Sequence, residues 1–129
     1  MKKLLYLGVL LSVTFSVYSQ SENKETFIFE DRIPEFPGGE DALVSFIEKN
    51  LKYPKKARKN NIEGVVYVNF VIDKYGNCIN SKITKSPSPL LSEAALDVMK
   101  KMPKWKPGKQ GGKNVDVLYD IPITFSLED

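Results

Sequence analysis

From Val115 to Phe125 the chain alternates. Val115, Val117, Tyr119, Ile121, Ile123 and Phe125 are apolar or aromatic, and Pro122 stands among the residues between them. Period-two alternation predicts a strand with one buried face. Proline has no backbone N–H, so within a sheet it belongs on an edge strand or at a bulge. Backbone groups of successive residues point to opposite sides of a strand. Pro122 is therefore predicted to face an open edge, together with Asp116, Leu118 and Asp120. The sheet must end at this strand.

The rest of the chain supplies the layers around it. Val65-Val66-Tyr67-Val68-Asn69-Phe70-Val71-Ile72 is apolar on both faces and rich in β-branched residues, which predicts a central strand. Asp73 to Asn77 reads as a turn. Ile79, Ser81 and Ile83 then alternate with Cys78, Asn80 and Lys82, the pattern of a second strand paired with the first. Phe36-Pro37-Gly38-Gly39 breaks the chain before a helix opened by Glu40 and Asp41, whose charges suit the helix dipole. Leu43, Phe46, Ile47 and Leu51 share one face of it. Tyr53-Pro54 starts a short helical turn that Asn61 can close. Ser88-Pro89 opens another helix with a buried stripe of Leu91, Ala94, Ala95, Val98 and Met102, ended by Pro103. Lys104 to Asn114 reads as a loop. The order is helix, strand, strand, helix, strand, and a right-handed crossover places the first strand between the other two. The fold class is α+β: two helices packed on one face of a three-stranded sheet, with an open edge at the last strand.

Composition excludes several functions. The chain has 129 residues, enough for one domain, and no histidine. The commonest general base and metal ligand is thus absent. No residue set supplies a base and a nucleophile, so an enzyme is the weakest reading, and no metal or cofactor is expected. Net charge is +3, and Lys2 and Lys3 belong to a segment that is expected to be removed, so no nucleic-acid partner is indicated. Cys78 has no internal partner and reads as an inert strand cysteine. Gly108 to Lys113 lacks phosphate-loop spacing, with Asn114 where Ser or Thr is required. Lys49, Lys52, Lys55, Lys56, Arg58 and Lys59 form a basic patch. It reads first as a solvated face, and second as an attractor of acidic receptor segments, phospholipid headgroups or cell-wall polymer.

Residues 1–19 have the layout of a signal peptide: Lys2 and Lys3, then a mostly apolar run, then Val17-Tyr18-Ser19 before Gln20. The run from Leu4 to Val17 is 14 residues long, short of the ~20 that a membrane span needs. The expected location is the periplasm after cleavage, the alternative an inner-membrane anchor facing the periplasm. No cysteine follows that could take a lipid. Residues 20–35 read as a short tether carrying Phe27-Ile28-Phe29, and 36–129 as the domain.

The run from Tyr53 to Phe125 resembles the TonB C-terminal domain family. The matching pieces are Tyr53-Pro54 with Ala57, Ile62-Glu63-Gly64 before the valine-rich strand, Asp73 to Gly76, Leu91 with Glu93-Ala94-Ala95, Trp105, Pro107-Gly108, Gly112, and Pro122 to Phe125. Phe36-Pro37-Gly38-Gly39-Glu40 also occurs in one branch of the family. The resemblance implies a periplasmic module in TonB-dependent transmembrane transport. Its partner would be a TonB-dependent outer-membrane receptor, whose extended TonB box adds as a strand beside the last strand. It further implies receptor contact just before the Tyr-Pro pair, here Asn50, Leu51 and Lys52. Inner-membrane motor proteins are expected partners only if the N-terminus is an uncleaved anchor. Gln20 to Pro37 then reaches only about 60 Å at ~3.3 Å per residue.

The two lines of reasoning meet at the same edge. An open edge strand can take up a peptide as an added strand, which makes the backbone of Asp116, Leu118 and Asp120 the candidate receptor-binding site. A second reading keeps the edge and changes the role: a free envelope adaptor or inhibitor that binds another peptide or sheet edge without energy coupling. The Phe27-Ile28-Phe29 segment covering the edge is a third. Such an edge also pairs with itself, so a weak homodimer is a further expectation.

Overall fold

The computed structural model describes residues 31–127. The leader and the first part of the tether, with Phe27-Ile28-Phe29, lie outside the described residues. In chain order the elements are α1 (Glu40–Asn50), α2 (Lys55–Lys59), β1 (Gly64–Ile72), β2 (Cys78–Lys85), α3 (Pro89–Lys100), β3 (Gly108–Gln110), β4 (Lys113–Val115) and β5 (Val117–Phe125). The main sheet runs β2-β1-β5, antiparallel throughout, so β1 is central as the crossover rule requires.

The helices pack on one face of that sheet. Val66, Val68, Phe70 and Ile72 of β1 and Ile121, Ile123 and Phe125 of β5 meet Leu43 and Ile47 of α1 and Leu91, Ala95 and Val98 of α3. Each fully buried apolar side chain is worth about 1.5–3 kcal/mol. The Ser88 side chain caps α3 by accepting from the Leu90 N–H. Met99 joins the buried stripe, and Met102 lies half-buried beyond the helix end at Lys100. Asn61 closes the α2 turn with φ 54°, in the left-handed conformation that asparagine tolerates.

The two long helices divide the sheet between them. α3 packs over β1 and β2. Phe36, just before α1, stands edge-on to Trp105 at 5.6 Å, and Trp105 stands edge-on to Tyr119 of β5 at 5.2 Å. Past the other end of α1, Tyr53 stands edge-on to Phe125, the last residue of β5, at 5.5 Å. α1 therefore lies along the inner face beside β5, starting near Tyr119 and ending near Phe125.

Three expectations need correction. The stretch read as a loop, Lys104 to Asn114, contains the β3–β4 hairpin, and Val115 belongs to β4 rather than to the last strand. Gly111 and Gly112 form its two-residue turn with φ of 61° and 78°, the positive values that such a turn demands. The alternation read for β2 also breaks. Asn80 takes φ 55° at a register shift, so Ile79 pairs with Val71 on the outer face while Ile83 pairs with Val68 on the inner one. An extra residue in one strand flips every later side chain to the other face. Finally, β1 is central but only its inner face is covered: Tyr67 is exposed, and Val65 and Val71 are half-buried.

From Asp31 to Glu35 the chain is paired with the hairpin region. Arg32 bridges Lys109 and Glu35 bridges Lys106. The Gly111 N–H donates to the Asp31 carboxylate at 2.8 Å, and Arg32 Nε donates to the Pro107 carbonyl at 3.0 Å.

Candidate peptide-binding edge

The two edges of the sheet are built differently. β5 pairs with β1 through nine consecutive residue pairs, Gly64↔Phe125 to Ile72↔Val117, without a register shift. β2 pairs with β1 through two shifts and carries Lys82 and Lys85 on the outer face. Bulges and lysines are how sheets block unwanted pairing. β2 has these devices and β5 does not.

Pro122 sets the direction of the β5 backbone. It pairs with Tyr67, and a residue without an N–H belongs in a position that exchanges no ladder bonds with its partner. Asn69↔Asp120 and Val71↔Leu118 have the same parity. The N–H and C=O of Leu118 and Asp120 therefore point away from β1. Asp116 precedes the ladder, in the bend between β4 and β5.

The side chains around this edge mix apolar and acidic character. Leu118 is 63% exposed. It flanks Val71, which Ile79 flanks on the other side, so an apolar row crosses all three strands on the outer face. Tyr67, next to Pro122, adds to it. Sequence reasoning passed over Tyr67 and Ile79. The signal was there in the two-sided apolarity of β1. Asp120 accepts from Asn69 Nδ2 at 2.7 Å, and Asp116 accepts from the Lys74 N–H at 2.8 Å. On the inner face, burial pushes the Tyr119 phenol up, and the nearby Glu40 carboxylate raises it further.

The second predicted set lies elsewhere. Asn50 ends α1 and Leu51 and Lys52 follow it, beside Tyr53 and hence beside the far end of β5. Leu51 is buried, and its N–H donates to the Ile47 carbonyl at 2.8 Å. Asn50 Nδ2 donates to the Phe46 carbonyl at 2.8 Å. Asn50 and Lys52, with Pro54, line an open cavity of about 470 Å³ whose other wall is α3, through Leu90, Glu93, Ala94, Asp97 and Lys100, with Lys101 just past its end. Leu118 is seven residues from Phe125, about 23 Å along a strand. The two sets are thus not one cluster. Only a strand running most of the length of β5 reaches both.

Among the described residues, no group of three or more His, Cys, Asp or Glu side chains could hold a metal. Cys78 is half-buried, and burial, with Asp73 nearby, pushes its thiol up to about 12. It is protonated and unreactive at neutral pH. Among the described residues no helix is long and apolar enough to cross a membrane.

The fold is that of a small α+β adaptor domain. The family model for the Gram-negative bacterial TonB protein C-terminal region matches residues 49–127. Protein TonB of Vibrio cholerae is 36% identical over 88 residues, covering 67% of this chain and 35% of that protein. Protein TonB of Helicobacter pylori is 33% identical over 88 residues, covering 67% and 30%. The chain spans about a third of the length of these relatives. Two solution structures of the Helicobacter pylori TonB C-terminal domain superpose with TM-scores of 0.53 and 0.54 at 30% and 29% identity; they cover 69% and 72% of this chain and 94% and 88% of theirs. The chain belongs to the TonB C-terminal domain family, whose members are non-catalytic adaptor modules.

Proposed function

We propose that this protein is a periplasmic TonB-type adaptor that binds TonB-dependent outer-membrane receptors by taking up a short receptor segment, the TonB box, as a fourth strand along β5. The observation that carries this reading is the inequality of the two sheet edges. β5 pairs without a register shift and offers outward backbone groups at Leu118 and Asp120, with only Pro122 lacking its outward N–H, while β2 is bulged and flanked by lysines. Strand addition draws its affinity from main-chain hydrogen bonds and its specificity from alternate side chains. Family membership supports the receptor as partner. Asn50, Leu51 and Lys52, near the far end of β5, act as a second contact with a part of the receptor outside the short added strand.

A segment of a few residues makes a small interface of the weak, transient class. Micromolar dissociation, about −8 kcal/mol, is the expected scale. The test is a disulfide trap. Leu118→Cys is mixed with single-cysteine versions of a receptor TonB-box segment. Strand addition predicts efficient crosslinking at one peptide position and its alternate neighbours. Equal, low crosslinking at every position would overturn it.

A further inference from the structure

Ahead of α1 the chain is already strand-like. Ile33 and Glu35 are exposed while Pro34 and Phe36 are buried, the alternation of a strand with one packed face. This strap, residues 31–36, runs antiparallel to the segment that opens the hairpin. Arg32 and Lys109 exchange both backbone bonds, at 3.3 and 2.8 Å, and Glu35 and Lys106 do the same, at 2.9 and 2.8 Å. Asp31 and Arg32 add side-chain bonds to the Gly111 N–H and the Pro107 carbonyl, and Phe36 ends the strap against Trp105. Lys109 also pairs with Asn114 of β4, so β3 lies between the strap and β4.

β3 in turn rests on the start of β5. Gly108 is buried, and a Cβ on it would stand 2.8 Å from Val117 Cγ2, 3.3 Å from Pro34 Cδ and 3.4 Å from the Arg32 carbonyl oxygen. A glycine here lets the strap and Val117 both approach the same point of β3. Gly108 also pairs with Val115. Val115 and Val117 flank Asp116, and Val117 opens β5. Leu118, the next residue, carries the first outward backbone groups of the candidate edge. An interior packed this closely passes a displacement on to its neighbours.

We infer that the strap is a coupling element: its docking on β3 fixes the start of β5 and so readies Leu118 to pair with an added strand. The residues before Asp31 are joined in sequence to the domain through this strap. A partner strand at β5 and the N-terminal connection of the chain therefore act on one another. Coupling between two sites is reciprocal. Docking of the strap favours uptake, and uptake favours docking of the strap by the same factor. The receptor-bound domain holds its own N-terminal lead more firmly than the free one. This rests on the strand-addition reading above and adds a regulation to it. A strap held by two bridges opens at lower cost than the nine-pair ladder between β1 and β5, which makes it the element that responds.

The test compares the purified protein with its Asp31→Ala/Arg32→Ala variant, the melting of both checked. The double variant removes the two side-chain bonds of the strap and touches no residue of β5. Affinity for a receptor TonB-box peptide is measured together with amide exchange at positions 32, 35, 118 and 120. Saturating peptide is expected to slow the wild-type amides of Arg32 and Glu35 by about fivefold or more, although the peptide pairs elsewhere. The double variant is expected to exchange faster at positions 32 and 35 and to bind the peptide more weakly by a similar factor. A peptide that protects Leu118 and Asp120 yet leaves Arg32 and Glu35 unchanged would show that strap and edge are independent, with strand addition intact. Undiminished affinity in a variant whose strap amides exchange freely would show the same. If Leu118 and Asp120 are not protected at all, strand addition fails and the coupling fails with it.

Discussion

Trp105 stands edge-on to Tyr119 with ring centroids 5.2 Å apart, and through this contact the segment after α3 braces the start of the candidate binding strand. Trp105 also touches Phe36 and Phe70, so one side chain joins the approach to α1, the central strand and β5. Replacing it with alanine is expected to cost about 3–5 kcal/mol, read as a shift of the urea unfolding midpoint. Trp105→Phe should cost less, because the buried indole N–H has no hydrogen-bond partner to lose.

Phe36 and most of α1 precede the residues that the family model matches, yet they complete the core. Phe36, Leu43 and Ile47 are 6%, 2% and 0% exposed. Losing three such side chains removes roughly 5–9 kcal/mol, comparable to the entire stability of a small domain. A fragment beginning at Lys49 should give poorly dispersed amide resonances, whereas one beginning at Asp31 should give a folded spectrum. A dispersed spectrum from the shorter fragment would show that α1 is dispensable.

Much of this was legible in the sequence, for identifiable reasons. The period of β5, the proline inside it and the β-branched run of β1 gave the strand order and the open edge. The hairpin at Gly111-Gly112 was missed although two glycines between short extended runs are a recognised turn signal. The surrounding lysines made the stretch look like solvated loop. The face of Ile79 could not be read from alternation, because the reversal depends on Asn80 adopting a left-handed conformation, which pairing with β1 stabilises. The pairing of Asp31 to Glu35 with the hairpin is non-local and leaves no periodic trace. The division of Asn50–Lys52 and Asp116–Asp120 between opposite ends of β5 became visible only once α1 was laid along that strand.

Proline substitutions separate the two sides of β5. Leu118→Pro removes an outward N–H and should lower stability by about 1 kcal/mol or less, while weakening uptake of a receptor segment. Tyr119→Pro removes an N–H that faces β1 and displaces a ring from the aromatic cluster. It should cost at least about 2 kcal/mol. Urea unfolding of both variants checks the assignment, and collapse of Leu118→Pro would show that the edge faces the other way.

Cys78 makes stability depend on pH in a defined window. Its thiol is pushed from an ordinary value of 9.0 up to about 12 by burial and by Asp73. The folded state therefore holds the proton more tightly than the unfolded one. The contribution is fully present below about pH 9 and is lost as pH rises toward 12, by up to about 1.4 kcal/mol per pH unit. Tyr53 and Tyr119, also raised by burial, add to the loss in the same direction. Cys78→Ala should flatten the alkaline limb of the stability profile, and an unchanged limb would assign the loss to the tyrosines.

The central claim is that a receptor segment joins the sheet at β5. Amide hydrogen exchange of the domain at saturating receptor peptide tests it most directly, because only main-chain pairing slows individual outward amides. Strand addition predicts strong slowing at Leu118 and Asp120, with little change along β2. Binding that leaves these two amides exchanging as in the free protein would contradict the account.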